Sequence, residues 1–408
     1  MYALHRSRFM LLAASVSAGV LLGLVSPALA VQMQPLADVF IRLLGWITWP
    51  LIFCMLAASA STMCRNRALG RVGAGALAYF AVMSLLALLF GLAAGCLLQP
   101  GARAALMPDV MESANVAGVV THGVLHWLDA VPPLRANNLL LLLAAVPAGL
   151  VLGWLLALSL ARSHAERGLV LLERCRLACL YAVKMLLLLA PLAAFGAMAG
   201  TVGRHGLTSI LPLVKFLVAI NLASALFVVI VLGGALRLAG VSLARFLWFI
   251  RAELYLVFFT GSSLAGLAPL SGKLERLGCP RAVTGLVLPF SYSLNLAGTT
   301  LYVALGLAFL VQAAQVPFER HLLALMLGVA LISSKGAVGV PGSGFATLAA
   351  TVALLHLAPP ATVAILLAID RTMKCRLLTN VIGHGVACVV VAAWDKTLDR
   401  ERLVAALA

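Results

Sequence analysis

Acidic side chains are few in this sequence: 13 Asp and Glu stand against 29 Lys and Arg, and charged residues make up 10% of its 408 positions. A soluble domain carries about 25% charged residues. With 63% apolar residues and a mean hydropathy of +1.10, the chain reads instead as an all-α polytopic membrane protein. A soluble basic domain is also missing. The net charge of +16 is spread over short loops between apolar runs, which excludes a nucleic-acid partner. No Cys-x-x-Cys occurs among Cys54, Cys64, Cys96, Cys175, Cys179, Cys279, Cys375 and Cys388, so neither a disulfide framework nor a zinc site is expected. They read as small core residues. Neither a nucleophile–base pair nor a metal cluster is visible, so an enzyme is not expected, and no cofactor is implied.

What is present is a series of apolar runs. At about 20 residues per span plus loops, roughly eight crossings fit the length. Arg6 and Arg8, an apolar run from Phe9, and the ending Pro27-Ala28-Leu29-Ala30 imitate a signal peptide. The run is about 20 residues long and another follows almost at once, so a retained first helix is expected. Further runs centre near 37–60, 75–98, 138–160, 178–202 and 207–238. Lys and Arg fix the orientation. With a cytoplasmic N-terminus, the inside receives Arg65, Arg67, Arg71, Arg162, Arg167, Arg174, Arg176, Arg237, Arg245, Arg251, Lys273, Arg276, Arg281, Lys396, Arg400 and Arg402. The outside receives Arg103, Arg135, Arg204 and Arg320, a bias of roughly four to one. The long connection 99–137 is then external. His122 and His126 within it are spaced i, i+4, but no third metal ligand stands beside them.

Beyond residue 245 the apolar segments shorten and are interrupted. Thr260-Gly-Ser-Ser-Leu-Ala-Gly-Leu-Ala-Pro269 breaks one, and Ser333-Ser-Lys-Gly-Ala-Val-Gly-Val-Pro-Gly-Ser-Gly344 breaks another. Paired Gly/Pro-interrupted segments point to the substrate site of a transporter built from inverted repeats. Re-entrant hairpins are expected at 247–278, from the inside, and at 321–353, from the outside; two kinked full-length helices are the alternative. Between them lies a span over 282–313 with Ser291-Tyr-Ser-Leu-Asn-Leu-Ala-Gly-Thr-Thr300 at its middle, a source of hydroxyls, an amide and loosened carbonyls for a hard ion.

The last span, 361–394, holds Asp370 as its one acid against Arg371, Lys374 and Arg376. Such an excess of positive charge favours an anionic ligand. Arg376, Asn380 and His384 lie at i, i+4 and i+8 on one stripe, and a guanidinium can hold a carboxylate through two parallel hydrogen bonds. The alternative role for Arg376 is an ion pair with Asp370. Six residues of continuous helix would put the two about 120° apart, which disfavours that pair and favours Asp370 with Lys374.

These residues resemble the dicarboxylate/amino acid:cation symporter family, most of all its bacterial C4-dicarboxylate members. The similarity runs nearly end to end, through Pro50-Leu-Ile-Phe-Cys54, Ala190 to Ala199, Leu277-Gly-Cys279, Ser291 to Thr300, Ser333 to Phe345, Ile369-Asp-Arg371 and Leu378-Thr-Asn380. The resemblance implies eight transmembrane helices with two re-entrant helical hairpins, a homotrimer in the cell inner membrane with both termini cytoplasmic, and elevator transport. Residues 1–245 would be mostly scaffold, with the third and sixth helices joining a transport core at 246–395, and 396–408 would be a cytoplasmic tail. Arg376, Asn380, Ser262, Ser263, Gly339, Pro341, Gly342, Thr299 and Met373 would line the substrate; Asn295, Ser291, Ser293, Asn380, His384 and Asp370 would serve the coupling cation, H+ or Na+.

Four features depart from the family pattern. Asn295-Leu-Ala297-Gly-Thr299 lacks a carboxylate associated with sodium, His384 stands where Asp or Asn is usual, the first hairpin tip reads Ser262-Ser263-Leu264, and one residue is missing between Asp370 and Arg376. Losing a carboxylate beside a cation forfeits on the order of 4 kcal/mol at 4 Å and an effective dielectric of 20. A histidine, which titrates near neutrality, can carry a coupling proton instead; a neutral packing histidine is the alternative. Amino-acid members resemble one another in an Asp one turn before the clamping Arg, where Met373 stands here, so a ligand without an amine is expected. The expected function is a symporter of succinate, fumarate or malate, with membrane lipid and the small dicarboxylate as its partners. The competing readings are an acidic amino acid symporter, a non-transporting sensor and a passive anion channel.

Overall fold

The computed structural model describes residues 2–37, 39–40, 71–102, 162–186, 188–206, 210–261, 263–315, 320–334, 343–355 and 372–407, with isolated positions within 43–57, 148–155 and 363–370. The expected spans at 37–60 and 138–160, and most of the connection 99–137, lie outside them. Every regular element among the described residues is helical. Among the described residues four stretches are long and apolar enough to cross a membrane: Val72–Leu98, Ile210–Leu238, Arg281–Ala313 and Lys374–Trp394.

The N-terminal run forms α1 (Tyr2–Val25), followed by α2 (Pro27–Gln32), which starts on Pro27 and needs no N–H there. α3 is Arg71–Leu98. The expected single span at 178–202 is divided between α4 (Arg162–Leu186) and α5 (Ala190–His205), because Pro191 cannot continue a helix from the preceding turn. α4 also takes in Arg162 to Arg176, which the sequence suggested as a loop. α6 runs over Ile210–Leu238. α7 (Leu243–Phe249) leads into an antiparallel pair, α8 (Arg251–Thr260) and α9 (Ser263–Arg276). α10 (Arg281–Leu294) and α11 (Ala297–Ala313) share one span. A second pair, α12 (Arg320–Ser333) and α13 (Ser343–Leu355), precedes α14 (Lys374–Trp394) and α15 (Arg400–Leu407).

α11 and α14 form the centre. Apart from the stripe Arg376, Asn380 and His384 on α14, their sequences are mostly apolar or small, as a helix surrounded by other helices requires, and nearly all their residues are buried. α11 packs on α3, α13 and α14; α14 packs on α8, α9, α10 and α11. The α3–α11 contact is close because Gly91 and Gly95 face Leu301, Ala304 and Ala308; a Cβ at Gly91 would fall 2.6 Å from the Leu301 carbonyl oxygen. Small residues at such seams let helix backbones approach in lipid. Gln312 closes the far end, donating to Gly95 O at 2.8 Å and accepting from Gly101 N at 3.0 Å.

At the opposite end, several loops meet. Lys273, near the end of α9, pairs at 3.0 Å with Glu253 at the start of α8 and donates to Phe249 O. The α8–α9 pair therefore begins and ends together, with its turn at Gly261, whose φ of +66° suits glycine. Asp399 N donates to Gly278 O at 3.0 Å, and Arg400 Nη1 donates to Ala239 O at 2.7 Å. The basic residues after α6, after α9 and after α14 thus share one end of the molecule.

Candidate functional site

The site assembles where three helices are interrupted. The first interruption is at Asn295 and Leu296, whose backbones leave the helical region between α10 and α11. Gly298 stands two residues further on, packed so closely on α14 that a Cβ there would overlap the Arg376 carbonyl oxygen. The opened turn leaves the first N–H groups of α11 without intrahelical acceptors. No side chain of α11's own start caps them. Asn380 does so from α14: its Oδ1 accepts from Gly298 N at 2.9 Å and Thr299 N at 3.3 Å, and its Nδ2 donates to Thr299 Oγ1 at 3.0 Å.

The second interruption precedes α14. The sequence suggested one helix over 361–394, but Thr372 is in a turn and Met373 has a non-helical backbone, with α14 starting at Lys374. The turn is closed by Thr372 Oγ1 donating to Ile369 O at 2.6 Å and Met373 N to Asp370 O at 3.2 Å. This overturns the expectation that Asp370 and Arg376 lie about 120° apart, since that angle assumed unbroken helix. Asp370 Oδ1 is in fact 3.5 Å from Arg376 Nη2, in a pair whose side chains are 2% and 3% exposed.

The pair is incomplete. Arg376 Nε and Nη1 and Asp370 Oδ1 make no hydrogen bond among the described residues, although all three atoms are buried. Guanidinium has five N–H donors, and leaving them unpaired away from water is costly. The group lies over the Tyr302 ring, 5.3 Å from its centroid. On another side it rests on Gly344, where a Cβ would overlap it. Gly344 is the second residue of α13, whose N-terminal N–H groups carry positive partial charge. A guanidinium and a helix N-terminus therefore meet around unsatisfied donors, an arrangement that holds an anion.

The third interruption is the Gly261 turn. Lys374 Nζ lies 3.1 Å from the place a Gly261 Cβ would occupy, so the first turn of α14 reaches both helical pairs, α8–α9 through Lys374 and α12–α13 through Arg376.

Two turns deeper, His384 Nδ1 lies 2.8 Å from Ser291 Oγ, which also accepts from Asn295 Nδ2 at 3.3 Å. Asn295 Nδ2 reaches Gly383 O at 3.3 Å as well. His384 Nε2 and Asn295 Oδ1, on wholly buried residues, have no hydrogen-bond partner among the described residues. Ala297 offers no ligand, and the described residues hold no cluster of three or more metal-ligating acids, histidines or cysteines.

Of the residues singled out from sequence, Arg376, Asn380, Thr299, Asp370 and Met373 come together, and Ser291, Asn295 and His384 form the adjoining network. Ser263 is buried at the start of α9, and Ser293 is half-buried near the end of α10. Ser262, Gly339, Pro341 and Gly342 lie outside the described residues. Sequence reasoning missed Tyr302, although it stands three residues after Thr299 on the same helical face. It also passed over Lys374 and Gly344 as site residues.

A profile of the sodium:dicarboxylate symporter family matches residues 9–394. A protein of Cupriavidus necator named C4-dicarboxylate transport protein is 41% identical over 96% of this chain and 92% of its own length. Proteins of the same name from Burkholderia thailandensis and Burkholderia ambifaria are 40% and 41% identical, over 96% and 97% of this chain and 93% of their own lengths.

Proposed function

Because the chain belongs to the sodium:dicarboxylate symporter family, we propose that it is a secondary active symporter that carries C4-dicarboxylates such as succinate, fumarate and malate across the cell inner membrane. The observation that carries this reading is the buried Arg376 with Nε and Nη1 unpartnered among the described residues, opposite the start of α13. One substrate carboxylate takes those donors. Met373 stands one turn before Arg376 and offers nothing to an ammonium, which favours a diacid over aspartate or glutamate. The names of the similar proteins point the same way.

The two helical pairs act as re-entrant hairpins. The arms α8 and α9 have 10 and 14 residues, about 15 and 21 Å, and neither reaches across a hydrocarbon core of about 30 Å. α12 and α13, of 14 and 13 residues, are as short. Of eight transmembrane helices in inverted repeats, the seventh and eighth make with these hairpins a transport core over 246–395, joined by the third and sixth, which moves as an elevator in a homotrimer whose scaffold comes mostly from residues 1–245.

Coupling runs on protons rather than sodium. Ala297 supplies no carboxylate, while His384 sits in a network that accepts a proton by reversing one hydrogen bond. With the imidazole neutral, Ser291 Oγ donates to Nδ1; once Nδ1 is protonated it donates to Ser291 Oγ, which turns its hydrogen away. No heavy atom has to move.

Uptake of labelled succinate into proteoliposomes, with pH and sodium gradients imposed separately, tests this. Accumulation under the pH gradient alone, lost in Arg376→Lys and in His384→Gln, is expected. pH-driven accumulation that survives His384→Gln overturns the proton route, accumulation needing sodium restores cation coupling of the family's type, and binding without accumulation makes the chain a sensor.

A further inference from the structure

We infer that a notch in the flank of α6 is a binding site for an anionic phospholipid. α6 is α-helical to Phe227, widens into a π-helical turn over Val228–Leu232, and returns to α-helix over Gly233–Leu238. The wide turn is followed by two glycines. Beside it opens a cavity of about 680 Å³ lined by Val229, Ile230, Gly233, Gly234, Arg237 and Leu243 among others. A Cβ on Gly234 would meet nothing within 4 Å, so the notch is open there. Val229 and Ile230 are 61% and 58% exposed, within a stretch apolar enough to lie in a membrane. This floor suits an acyl chain.

The mouth of the notch is cationic. Arg237 is exposed in the last turn of α6. Arg400 arrives from α15, donates to Ala239 O at 2.7 Å and lies over Gly240, which also lines the cavity. Ser242 adds an exposed hydroxyl, and no acidic residue is among those lining the notch. The next helix, α7, carries Trp248, with the guanidinium of Arg251 from the start of α8 3.6 Å from its ring centroid. Such tryptophans sit at the depth of lipid headgroups. An apolar channel ending in guanidinium groups at headgroup depth fits a lipid with a net negative phosphodiester. Inorganic phosphate would leave the floor empty, and a zwitterionic headgroup brings an ammonium towards two arginines.

Native mass spectrometry of the detergent-purified full chain, offered equal amounts of phosphatidylglycerol and phosphatidylcholine, tests the site. The wild type should retain phosphatidylglycerol preferentially. Arg237→Gln should cut that preference about five-fold, the usual worth of one basic side chain at an anionic surface. Gly234→Leu, whose Cβ meets nothing within 4 Å and whose longer side chain takes up space in the notch, should lower retention of phosphatidylglycerol with no loss of thermal stability. Equal retention of both lipids by the wild type, or wild-type retention by either variant, overturns the assignment.

Discussion

Asn380 does for α11 what a serine or aspartate does at an ordinary helix start, but from a different helix. Three hydrogen bonds from one amide tie residues about eighty positions apart. Asn380→Ala would orphan two buried N–H groups, at a cost of about 1–3 kcal/mol each. Thermal unfolding in detergent should show a clear fall in Tm; an unchanged Tm would mean the break at Asn295 is not held by this amide. At this scale the sequence was informative where side chains share a helix. Arg376, Asn380 and His384 fall on one stripe of α14, as their spacing required. It was misleading for Asp370, because angular reasoning needs an unbroken helix and the turn at Thr372–Met373 removes one. Nor could spacing along one segment show that Gly344 supports the Arg376 guanidinium from another.

The elements divide along the same line. Both interrupted pairs, and a weak point inside the span over 282–313, were legible, since serine, glycine and proline clusters break helices wherever they fall. The division at Pro191 and the extension of α4 were not, because a charged, amphipathic segment is ambiguous between loop and helix until its packing is known. α3 allows a test within one helix. Gly75 and Gly95 are both glycines in that helix, but a Cβ at Gly75 meets nothing within 4 Å, whereas one at Gly95 would fall 2.5 Å from Ala308 Cβ. Gly75→Ala should therefore stabilise by up to about 1 kcal/mol through helix propensity. Gly95→Ala should destabilise by about 1–3 kcal/mol through overpacking. Thermal melts that move in the same direction for the two variants would contradict a close α3–α11 seam.

For the whole molecule, the charge bias in the loops agrees with the structure's gathering of the ends of α6, α9 and α14. An orientation with that basic end inside predicts that residue 314, beyond α11, and residue 397, beyond α14, are reached from opposite sides of the membrane. In a background stripped of exposed native cysteines, Ala314→Cys should react with an impermeant maleimide in intact cells, and Thr397→Cys only after permeabilisation. Labelling of both in intact cells would refute the orientation. Glu253, Lys273 and the Phe249 carbonyl clamp the two arms of the α8–α9 pair at one end, and Gly278 just beyond is held to Asp399. The pair is thus a cantilever, built in at its base, so that bending it displaces the Gly261 end and little else, and the ammonium of Lys374 is where that displacement would be felt.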